Sequence, residues 1–332
     1  MARDLVTGAT GLLGINLVRA LAARGRGVRI LVRPSSRTSH LDDVPDLERV
    51  MGDVTDRESI VRACAGVERV YHCAAVVSMW PRLAAAMWQA NVVGTEHVLA
   101  AVRRTGVARL VHCSTVDAIG LPEGDAPSTE ETPWNWDRLG LDLPYPRTKY
   151  EAQRRVLAAA ATDVDAVVVN PAYMFGPHDA RPSSGRMILE VAAGRAFGYT
   201  TGGNNFVDVA DVTDAMITAA ERGRRGELYI LGGANLSYRE IFAEIAGIVG
   251  RRQPRLRVPY PLARLVGWIG DAAATCTGRE PHVNSATARL GYVRHYYDPR
   301  KAITQLGLKQ TPIRLAIERA VAWFCQAGML PA

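Results

Sequence analysis

The stretch Asp4-Leu-Val-Thr-Gly-Ala-Thr-Gly-Leu-Leu-Gly-Ile-Asn-Leu-Val-Arg-Ala-Leu-Ala-Ala23 decides the fold of this 332-residue chain. Its apolar start predicts a β-strand, and leucines at helical spacing predict a helix over Leu12–Ala23. Between them, Gly8, Gly11 and Gly14 suit a tight turn, a close backbone approach to a pyrophosphate, and close packing of helix on strand. The helix start also offers free N–H groups to phosphates. This order predicts a dinucleotide site; the alternative is that the glycines serve only the turn and its packing.

Short apolar runs alternate with longer helix-like runs through the first two thirds of the chain. Near-continuous apolar runs are typical of parallel strands covered on both faces, and they occur at Asp4–Thr7, Val28–Val32, Leu47–Met51, Arg69–Ala74, Arg109–Ser114 and Ala166–Asn170. Helices are predicted at Leu12–Ala23, Leu83–Thr105 and Lys149–Ala161. The alternation predicts an α/β fold with a Rossmann-type doubly wound parallel sheet and right-handed crossovers.

The strand and helix rhythm loosens after Pro171, where Gly, Pro and Asn become frequent, and only Glu227–Leu231 is expected to return to the main sheet. The remainder predicts a smaller, mostly helical C-terminal substrate-binding cap over the carboxyl ends of the strands. We therefore expect a dinucleotide-binding domain over residues 1–171 and approximately 206–235, and a cap over approximately 172–205 and 236–332.

The bulk composition excludes several classes of protein. Hydrophobic residues make up 48% and charged residues 22% of the chain, which is an ordinary globular balance and not that of a disordered chain. The net charge of +7 comes from scattered arginines without the aromatic-rich basic motifs of nucleic-acid modules, so no nucleic-acid partner is expected. Five cysteines without a CxxC pair favour free thiols over disulfides or a metal site. No signal-like start and no run of about 18 apolar residues occurs, which favours a cytoplasmic protein.

The end of the second predicted strand bears on the choice of nicotinamide cofactor. An NAD site usually places a carboxylate there for the ribose 2′-hydroxyl, whereas this chain has Arg33, with Ser35, Ser36 and Arg37 beside it. A guanidinium suits the 2′-phosphate of NADP, so we expect NADP(H), with NAD(H) as the alternative. Asp53, after the third strand, could accept a hydrogen bond from the adenine amino group or cap a helix that begins near Thr55.

A tyrosine and a lysine are spaced for proton transfer. Tyr145 and Lys149 share one face of a helix, and an ammonium near a phenol would lower the phenol pKa. Such a tyrosine exchanges a proton with an alcohol or a developing alkoxide. Thr115, after the fifth strand, could hold a carbonyl oxygen at the ligand-binding edge of the sheet. The alternatives are a surface Tyr and Lys, and a strand threonine bonded to a neighbouring carbonyl.

These motifs resemble the extended short-chain dehydrogenase/reductase family, also described as NAD-dependent epimerase/dehydratase-like. The matching segments cover nearly the whole chain and are Thr7–Gly14, Gly52–Asp56, His72–Ala75, Asn91–Thr95, Cys113–Thr115, Tyr145–Lys149, Asn170–Pro171, Gly176–Pro177 and Phe206–Val212. The resemblance implies a catalytic triad of Thr115, Tyr145 and Lys149 with Asn91 in support, and Ser114 in reserve for Thr115. It implies cofactor contacts from Thr7, Gly8, Thr10, Gly11, Leu12, Leu13, Gly14, Arg33, Asp53, Val54, Cys73, Ala74, Ala75, Lys149 and Pro171.

Three branches of the family compete. The dehydratases carry Thr-Asp-Glu where this chain has Thr115-Val116-Asp117, and the epimerases often carry Arg-Asp-Phe where it has Asn204-Asn205-Phe206. The chain looks more like the dihydroflavonol-reductase-like and 3β-hydroxysteroid-dehydrogenase-like ketone reductases and like proteins named hopanoid-associated sugar epimerases. The expected substrate-binding residues are mostly apolar and are Val77, Met79, Trp80, Tyr173, Met174, Phe175 and Phe206.

The expected function is therefore reversible reduction of a ketone on a hydrophobic, polycyclic or aromatic small molecule, with hydride from nicotinamide and a proton from Tyr145. The alternatives are a nucleotide-sugar 4-epimerase or dehydratase and a non-catalytic NAD(P)-binding regulator. By family analogy a homodimer is expected. The apolar segment Tyr260–Thr277, preceded by four arginines, could make a weak membrane-surface contact or serve as a lid or packed helix.

Overall fold

The computed structural model describes residues 3–331. Its strands are β1 (Arg3–Thr7), β2 (Gly27–Val32), β3 (Leu47–Met51), β4 (Arg69–His72), β5 (Arg109–Cys113), β6 (Ala166–Pro171), β7 (Tyr173–Phe175), β8 (Gly198–Tyr199), β9 (Gly203–Asp208), β10 (Leu228–Leu231), β11 (Ala234–Ser237), β12 (Leu256–Arg257) and β13 (Arg294–His295). Its α-helices are α1 (Leu12–Ala23), α2 (Arg57–Cys64), α3 (Ala84–Met87), α4 (Gly94–Thr105), α5 (Pro144–Thr162), α6 (Arg186–Ala192), α7 (Val209–Arg222), α8 (Tyr238–Ile248), α9 (Tyr260–Thr277), α10 (Ser285–Leu290), α11 (Arg300–Leu306) and α12 (Ile313–Gln326).

The main sheet has seven strands in the order β10-β6-β5-β4-β1-β2-β3, and every neighbouring pair is parallel. The predicted doubly wound sheet is thus confirmed, as is the return of the strand near residue 230 to that sheet. Every residue of β5 and β6 is buried, which explains their almost unbroken apolar sequence. The strand order reverses between β1 and β4, and ligands bind at the carboxyl ends of strands at such a point.

Helix α1 packs closely on the turn that follows β1 because of Gly14. A Cβ at this position would overlap the carbonyl oxygen of Gly8 and lie 2.7 Å from the Cα of Ala9. The helix buries Leu17 and Leu21 completely in the core of the sheet. The packing role that the sequence assigned to Gly14 is therefore visible in the structure.

Several predicted boundaries differ from the structure. Helix α5 begins at Pro144, five residues before the predicted start at Lys149, because a proline in the first turn needs no N–H partner. The single helix predicted over Leu83–Thr105 is divided: a π-helical turn over Trp88–Val93 separates α3 from α4. The strand predicted to reach Ala74 ends at His72.

The cap contains a second sheet as well as helices. Its central strand is β9, which pairs with β7 and β13 in parallel and with β11 antiparallel. Strand β9 runs through the expected domain boundary near residue 206. Helices α6, α8 and α12 cover this sheet and share a buried cluster with it. Within residues 3–331, no helix is both long and apolar enough to cross a bilayer.

We expect Gly14→Ala to destabilise the protein by about 1–3 kcal/mol, because the added methyl group overpacks the turn beneath α1. Urea unfolding followed by circular dichroism measures this change. The matched control is Gly247→Ala in α8, another helical glycine, whose Cβ would meet no atom within 4 Å. That variant should be unchanged or more stable, since alanine favours helix. Equal stability of the two variants would argue against the packing role of Gly14.

Candidate active site

The glycine turn after β1 fits a dinucleotide pyrophosphate. Gly8 has a φ of +71°, and a Cβ there would lie 2.6 Å from the backbone of both Cys73 and Ala74, so only glycine fits. Gly11 caps α1 without a side-chain hydrogen bond, and the first turn carries no acidic residue. A Cβ at Gly11 would meet only the Gly8 oxygen, at 3.7 Å, so the approach from solvent is open. The N–H groups of the first turn are thus available to an anion.

The other residues of the turn differ in what they could offer a cofactor. The side chains of Leu12 and Leu13 are buried in the core, so only their backbone could contact a ligand. Thr10 is half-buried on the turn itself. The Thr7 hydroxyl accepts a hydrogen bond from the Ala74 amide at 3.2 Å and lies 2.8 Å from His72 Nδ1. Thr7 therefore holds the end of β1 to the segment after β4, which contains the three predicted contacts Cys73, Ala74 and Ala75.

The residues expected at the adenosine end lie at the carboxyl ends of β2 and β3. Arg33 is exposed, and its guanidinium lies 3.9 Å from the carboxylate of Asp53. Asp53 does not cap α2: it accepts hydrogen bonds from the amide and hydroxyl of Thr55 at 2.9 and 2.8 Å, while Asp56 accepts from Glu58 as the actual N-cap. The helix-cap alternative for Asp53 is therefore wrong. Val54 is buried, and its carbonyl accepts from His97.

Tyr145 and Lys149 lie in the first turns of α5, and both are buried. Lys149 Nζ donates to the carbonyl oxygen of Cys113 at 2.7 Å, which ties α5 to the end of β5. Pro171, expected beside the nicotinamide, ends the neighbouring strand β6 and is buried. The proposed proton-transfer pair thus lies at the carboxyl edge of the main sheet, next to the strand-order reversal.

The electrostatic prediction for Tyr145 was wrong. Its pKa is raised above 10, first by burial and then by the nearby Asp117 and Cys113, while the adjacent Thr115 side chain opposes the rise. The ammonium of Lys149 bonds to a backbone carbonyl, and burial lowers its own pKa. The phenol is consequently held protonated at neutral pH, the form in which it donates a proton.

Thr115 and Ser114 follow β5 and differ in their partners. The Thr115 hydroxyl accepts from the amide of Asp117 at 3.3 Å, which leaves its own proton free to donate. The Ser114 hydroxyl is buried and has no hydrogen-bond partner among residues 3–331, and its amide donates to Val169 of β6. The Thr115 side chain acts to lower the pKa of the Tyr145 phenol. The assignment of Thr115 ahead of Ser114 stays a prediction.

Two side-chain amides whose role was not predicted from the sequence hold the turn at Thr115 in place. Asn170 Nδ2 donates to the Thr115 carbonyl and to Gln153 Oε1, both at 2.7 Å. Gln153 follows Tyr145 and Lys149 at steps of four, so all three lie along one face of α5. A glutamine among the buried positions of a helix is the sequence feature that could have identified Gln153.

Asn91 supports the catalytic helix indirectly. It lies in the π-helical turn, a deformation that is frequent at functional sites. Its side chain accepts from the Val76 amide at 2.8 Å and donates to the Thr148 hydroxyl at 3.1 Å. Thr148 in turn donates to the carbonyl of Tyr145 at 3.0 Å. The predicted supporting role is consistent with this path, although Asn91 bonds to neither the phenol nor the ammonium.

A hydrogen-bonded chain connects Asn91 to the cofactor turn through His72. The Thr95 hydroxyl donates to the Asn91 carbonyl at 2.6 Å, so it must accept from His72 Nε2, 3.1 Å away. His72 Nδ1 is then free to accept from the hydroxyl of Thr7. Burial, and to a lesser extent the charge of Lys149, lower the His72 pKa to about 3, so the ring is neutral as this chain requires.

The predicted substrate residues fall into two groups. Val77 is exposed, and Met79, Trp80, Tyr173 and Met174 are half-buried. Phe175 and Phe206 are 1% exposed and stack on each other in the buried cluster of the cap, with ring centroids 5.7 Å apart. Their assignment as pocket residues is wrong, because the same apolar character serves the core of the second sheet.

Comparison with known proteins agrees with this geometry. Residues 5–232 match the model of the NAD dependent epimerase/dehydratase family. The chain belongs to this family. It is 38% identical over 330 residues to sterol demethylase protein B of Methylococcus capsulatus, with 98% of this chain and 99% of that protein covered. It is 32% identical over 298 residues to a ketoreductase of Stigmatella aurantiaca named for 4-hydroxy-2-methyl-3-oxo-4-farnesyl-3,4-dihydroquinoline-1-oxide, with 87% and 86% covered.

A solved structure extends the match to the whole molecule. The crystal structure of gox2253 superposes with a TM-score of 0.87 at 34% identity, and 99% of this chain and 100% of that chain are covered. The predicted class, a nicotinamide-dependent enzyme of the extended short-chain dehydrogenase/reductase family, is therefore confirmed.

A half-buried acid, Asp117, lies beside the candidate catalytic residues. Asp117 Oδ1 lies 3.7 Å from Nδ1 of His295, a residue of the cap strand β13. Neither ring nitrogen of His295 has a hydrogen-bond partner within the described residues 3–331. Burial raises the pKa of Asp117 to about 7 and lowers that of His295 to about 4. Asp117 therefore titrates near neutral pH, a property that its sequence position did not reveal.

Asp117→Asn should change how stability depends on pH. The folded state binds the Asp117 proton more tightly than the unfolded chain, so this carboxyl lowers the free energy of unfolding as pH rises from about 4 to about 7. We expect the free energy of unfolding of the variant, relative to the parent, to increase across this window and then level off. Urea titrations at several pH values measure it. Asp125→Asn, at a fully exposed side chain, should follow the parent; a flat difference for D117N would contradict the assignment.

Proposed function

We propose that this enzyme interconverts a ketone and a secondary alcohol on a hydrophobic, ring-containing small molecule, with NADP(H) as cofactor. The observation that carries this proposal is the protonated phenol of Tyr145 beside the Thr115 hydroxyl, at the carboxyl edge where the dinucleotide turn opens. Val116, at the position where the dehydratases carry an aspartate, is buried and apolar. One of the two acids of a dehydratase is therefore absent, which disfavours dehydration.

Each residue at the site has one role in the proposed reduction. The dinucleotide, when bound along the Gly8–Gly14 turn, supplies or accepts hydride. The Thr115 hydroxyl donates to the substrate carbonyl oxygen and orients it. Tyr145 gives its proton to that oxygen as negative charge develops, and takes it back in the reverse direction. Lys149, buried against the Cys113 carbonyl, places a positive charge close to the reacting groups.

The substrate class is supported by the walls of the site and by the relatives. The predicted substrate residues Met79, Trp80, Tyr173 and Met174 are half-buried and mostly apolar, which suits a lipophilic molecule held by few polar contacts. The two relatives described above carry names that refer to a sterol and to a farnesylated quinoline. Both names indicate fused rings with extended apolar surface.

The preference for NADP(H) is supported by the end of β2. Arg33 and Arg37 are exposed there, and no carboxylate follows β2 directly to receive a ribose 2′-hydroxyl. The weak 3.9 Å approach of Arg33 to Asp53 leaves the guanidinium available for a phosphate. A planar guanidinium binds a 2′-phosphate through paired hydrogen bonds.

The substrate class is tested by initial rates with NADPH and NADH against steroid, flavonoid and quinone ketones and UDP-sugars. We expect ketone-dependent oxidation of NADPH. Tyr145→Phe should lower kcat/KM by roughly 10²–10⁴-fold, because general acid catalysis is lost, while fluorescence titration shows unchanged NADPH binding. Epimerisation of a UDP-sugar without net NADPH oxidation would overturn the proposal in favour of an epimerase. NADPH binding without turnover of any substrate would favour a regulator.

The cofactor preference gives a separate prediction. Arg33→Ala should raise the KM for NADPH by about 10–100-fold, because a charge-assisted pair of hydrogen bonds to phosphate is lost. The KM for NADH should change little. Arg62→Ala, at another exposed arginine, serves as the control. An equal effect of R33A on both cofactors would show that Arg33 does not recognise the 2′-phosphate.

A further inference from the structure

Helix α9 is packed with its small residues inward and its large apolar residues outward. Gly267 and Ala274 are its buried residues. A Cβ at Gly267 would lie 2.9 Å from the backbone of both Asn284 and Ser285, so the helix lies directly on that segment. The larger side chains point to solvent instead and are Tyr260, Leu262, Leu265, Val266, Trp268 and Ile269. Trp268 is the most exposed of these six side chains, at 72%.

A two-stranded ribbon extends this surface. Strands β8 and β12 pair in parallel, with Leu256 opposite Gly198. Phe197, immediately before β8, is 78% exposed, and Leu256 is 67% exposed. Helix α9 follows β12 after two residues, so the ribbon adjoins the N-terminal end of the helix. We call this surface, formed by Phe197, Leu256 and the six exposed residues of α9, the α9 patch. An apolar surface of this kind marks an interaction site.

The charged residues at the N-terminal end of the α9 patch have a single sign, and the first acid along α9 is Asp271. Residues 251–270 contain five arginines and no aspartate or glutamate, and the arginines are Arg251, Arg252, Arg255, Arg257 and Arg264. All five are exposed. Among residues 3–331, none of them forms a salt bridge with a carboxylate, whereas other exposed arginines such as Arg103 and Arg195 do. The patch therefore combines exposed apolar side chains with unneutralised positive charge.

We propose that the α9 patch binds the surface of an anionic lipid bilayer. An amphipathic helix with aromatic and aliphatic residues on one face and arginines at its border lies in the interface between headgroups and acyl chains. Anionic lipids attract basic segments close to their surface. A second copy of this chain is a poor occupant, because a two-fold contact would bring two sets of five arginines together without an acid.

The α9 patch is connected to the active site through the loop that contains Met79. Asn284, beneath α9, donates to the Met79 carbonyl at 3.2 Å, and Arg82 donates to the carbonyl of Ala274 at 3.3 Å. The Ser78 hydroxyl donates to Glu280, just after the helix. A lipophilic ketone bound at the bilayer surface would then enter the site past this loop. This last step rests on the proposed function, whereas bilayer binding does not.

Vesicle flotation with the whole chain tests the proposal without an activity assay. Vesicles of phosphatidylcholine alone are compared with vesicles of phosphatidylcholine and phosphatidylglycerol, at low and at high salt. We expect binding to the anionic vesicles at low salt, and weak binding to the neutral ones. The double variant Phe197→Ser and Trp268→Ser should lower the partition coefficient by about tenfold or more, since it removes the two most exposed aromatic side chains.

Matched variants separate the two contributions. Leu139→Ser with Met329→Ser removes exposed apolar side chains elsewhere and should bind like the parent. The triple change of Arg252, Arg255 and Arg257 to Gln should abolish the preference for anionic vesicles, whereas the same change at Arg57, Arg62 and Arg224 should not. In addition, Trp268→Phe should remove the blue shift of tryptophan fluorescence that vesicles induce.

Three results would overturn the proposal. The first is an absence of binding to anionic vesicles. The second is equal loss of binding in the patch variants and in their controls. The third is that the F197S/W268S protein changes from dimer to monomer in analytical ultracentrifugation while vesicle binding is unaffected, which would make the patch an interface between copies. Each outcome is independent of whether a ketone is turned over.

Discussion

One hydrogen-bonded chain holds the two halves of the active site in register. It begins at the Ala74 amide, passes through Thr7, the neutral ring of His72 and Thr95, and reaches Asn91. From Asn91 it continues through Thr148 to the carbonyl of Tyr145. The glycine turn that fits a dinucleotide and the helix that carries the phenol are thereby fixed to each other. A protonated imidazole can only donate hydrogen bonds, whereas His72 must donate to Thr95 and accept from Thr7. The chain therefore depends on the burial that keeps His72 neutral.

Burial also sets the chemistry of the reacting groups. It raises the pKa of Tyr145 and lowers that of Lys149, so each group is shifted toward its neutral form. A neutral phenol is a proton donor, which suits reduction of a carbonyl held by Thr115. Asp117 and His295 bring a second titrating pair to the border of main sheet and cap. The cap therefore contributes polar groups as well as apolar walls to this region.

The outer surface of the cap also carries large apolar side chains. Helix α9 exposes large side chains where most helices bury them, and the ribbon of β8 and β12 adds Phe197 and Leu256 to that face. Small residues on the inner face make this possible, since Gly267 lets the helix lie directly on the segment at Asn284. The proposed lipophilic substrate and the proposed bilayer-binding surface are consistent with each other.

The sequence alone determined the parallel sheet, the glycine turn and the pair Tyr145 and Lys149, because apolar periodicity and short-range spacing are local properties of the chain. It could not determine which apolar residues line the site. Phe175 and Val77 are both apolar in the sequence, yet Phe175 lies in the core and Val77 is exposed. The direction of the Tyr145 pKa shift was equally out of reach. Burial, the partner of Lys149 and the approach of His295 to Asp117 depend on residues far apart in the chain, and only the tertiary structure decides their distances.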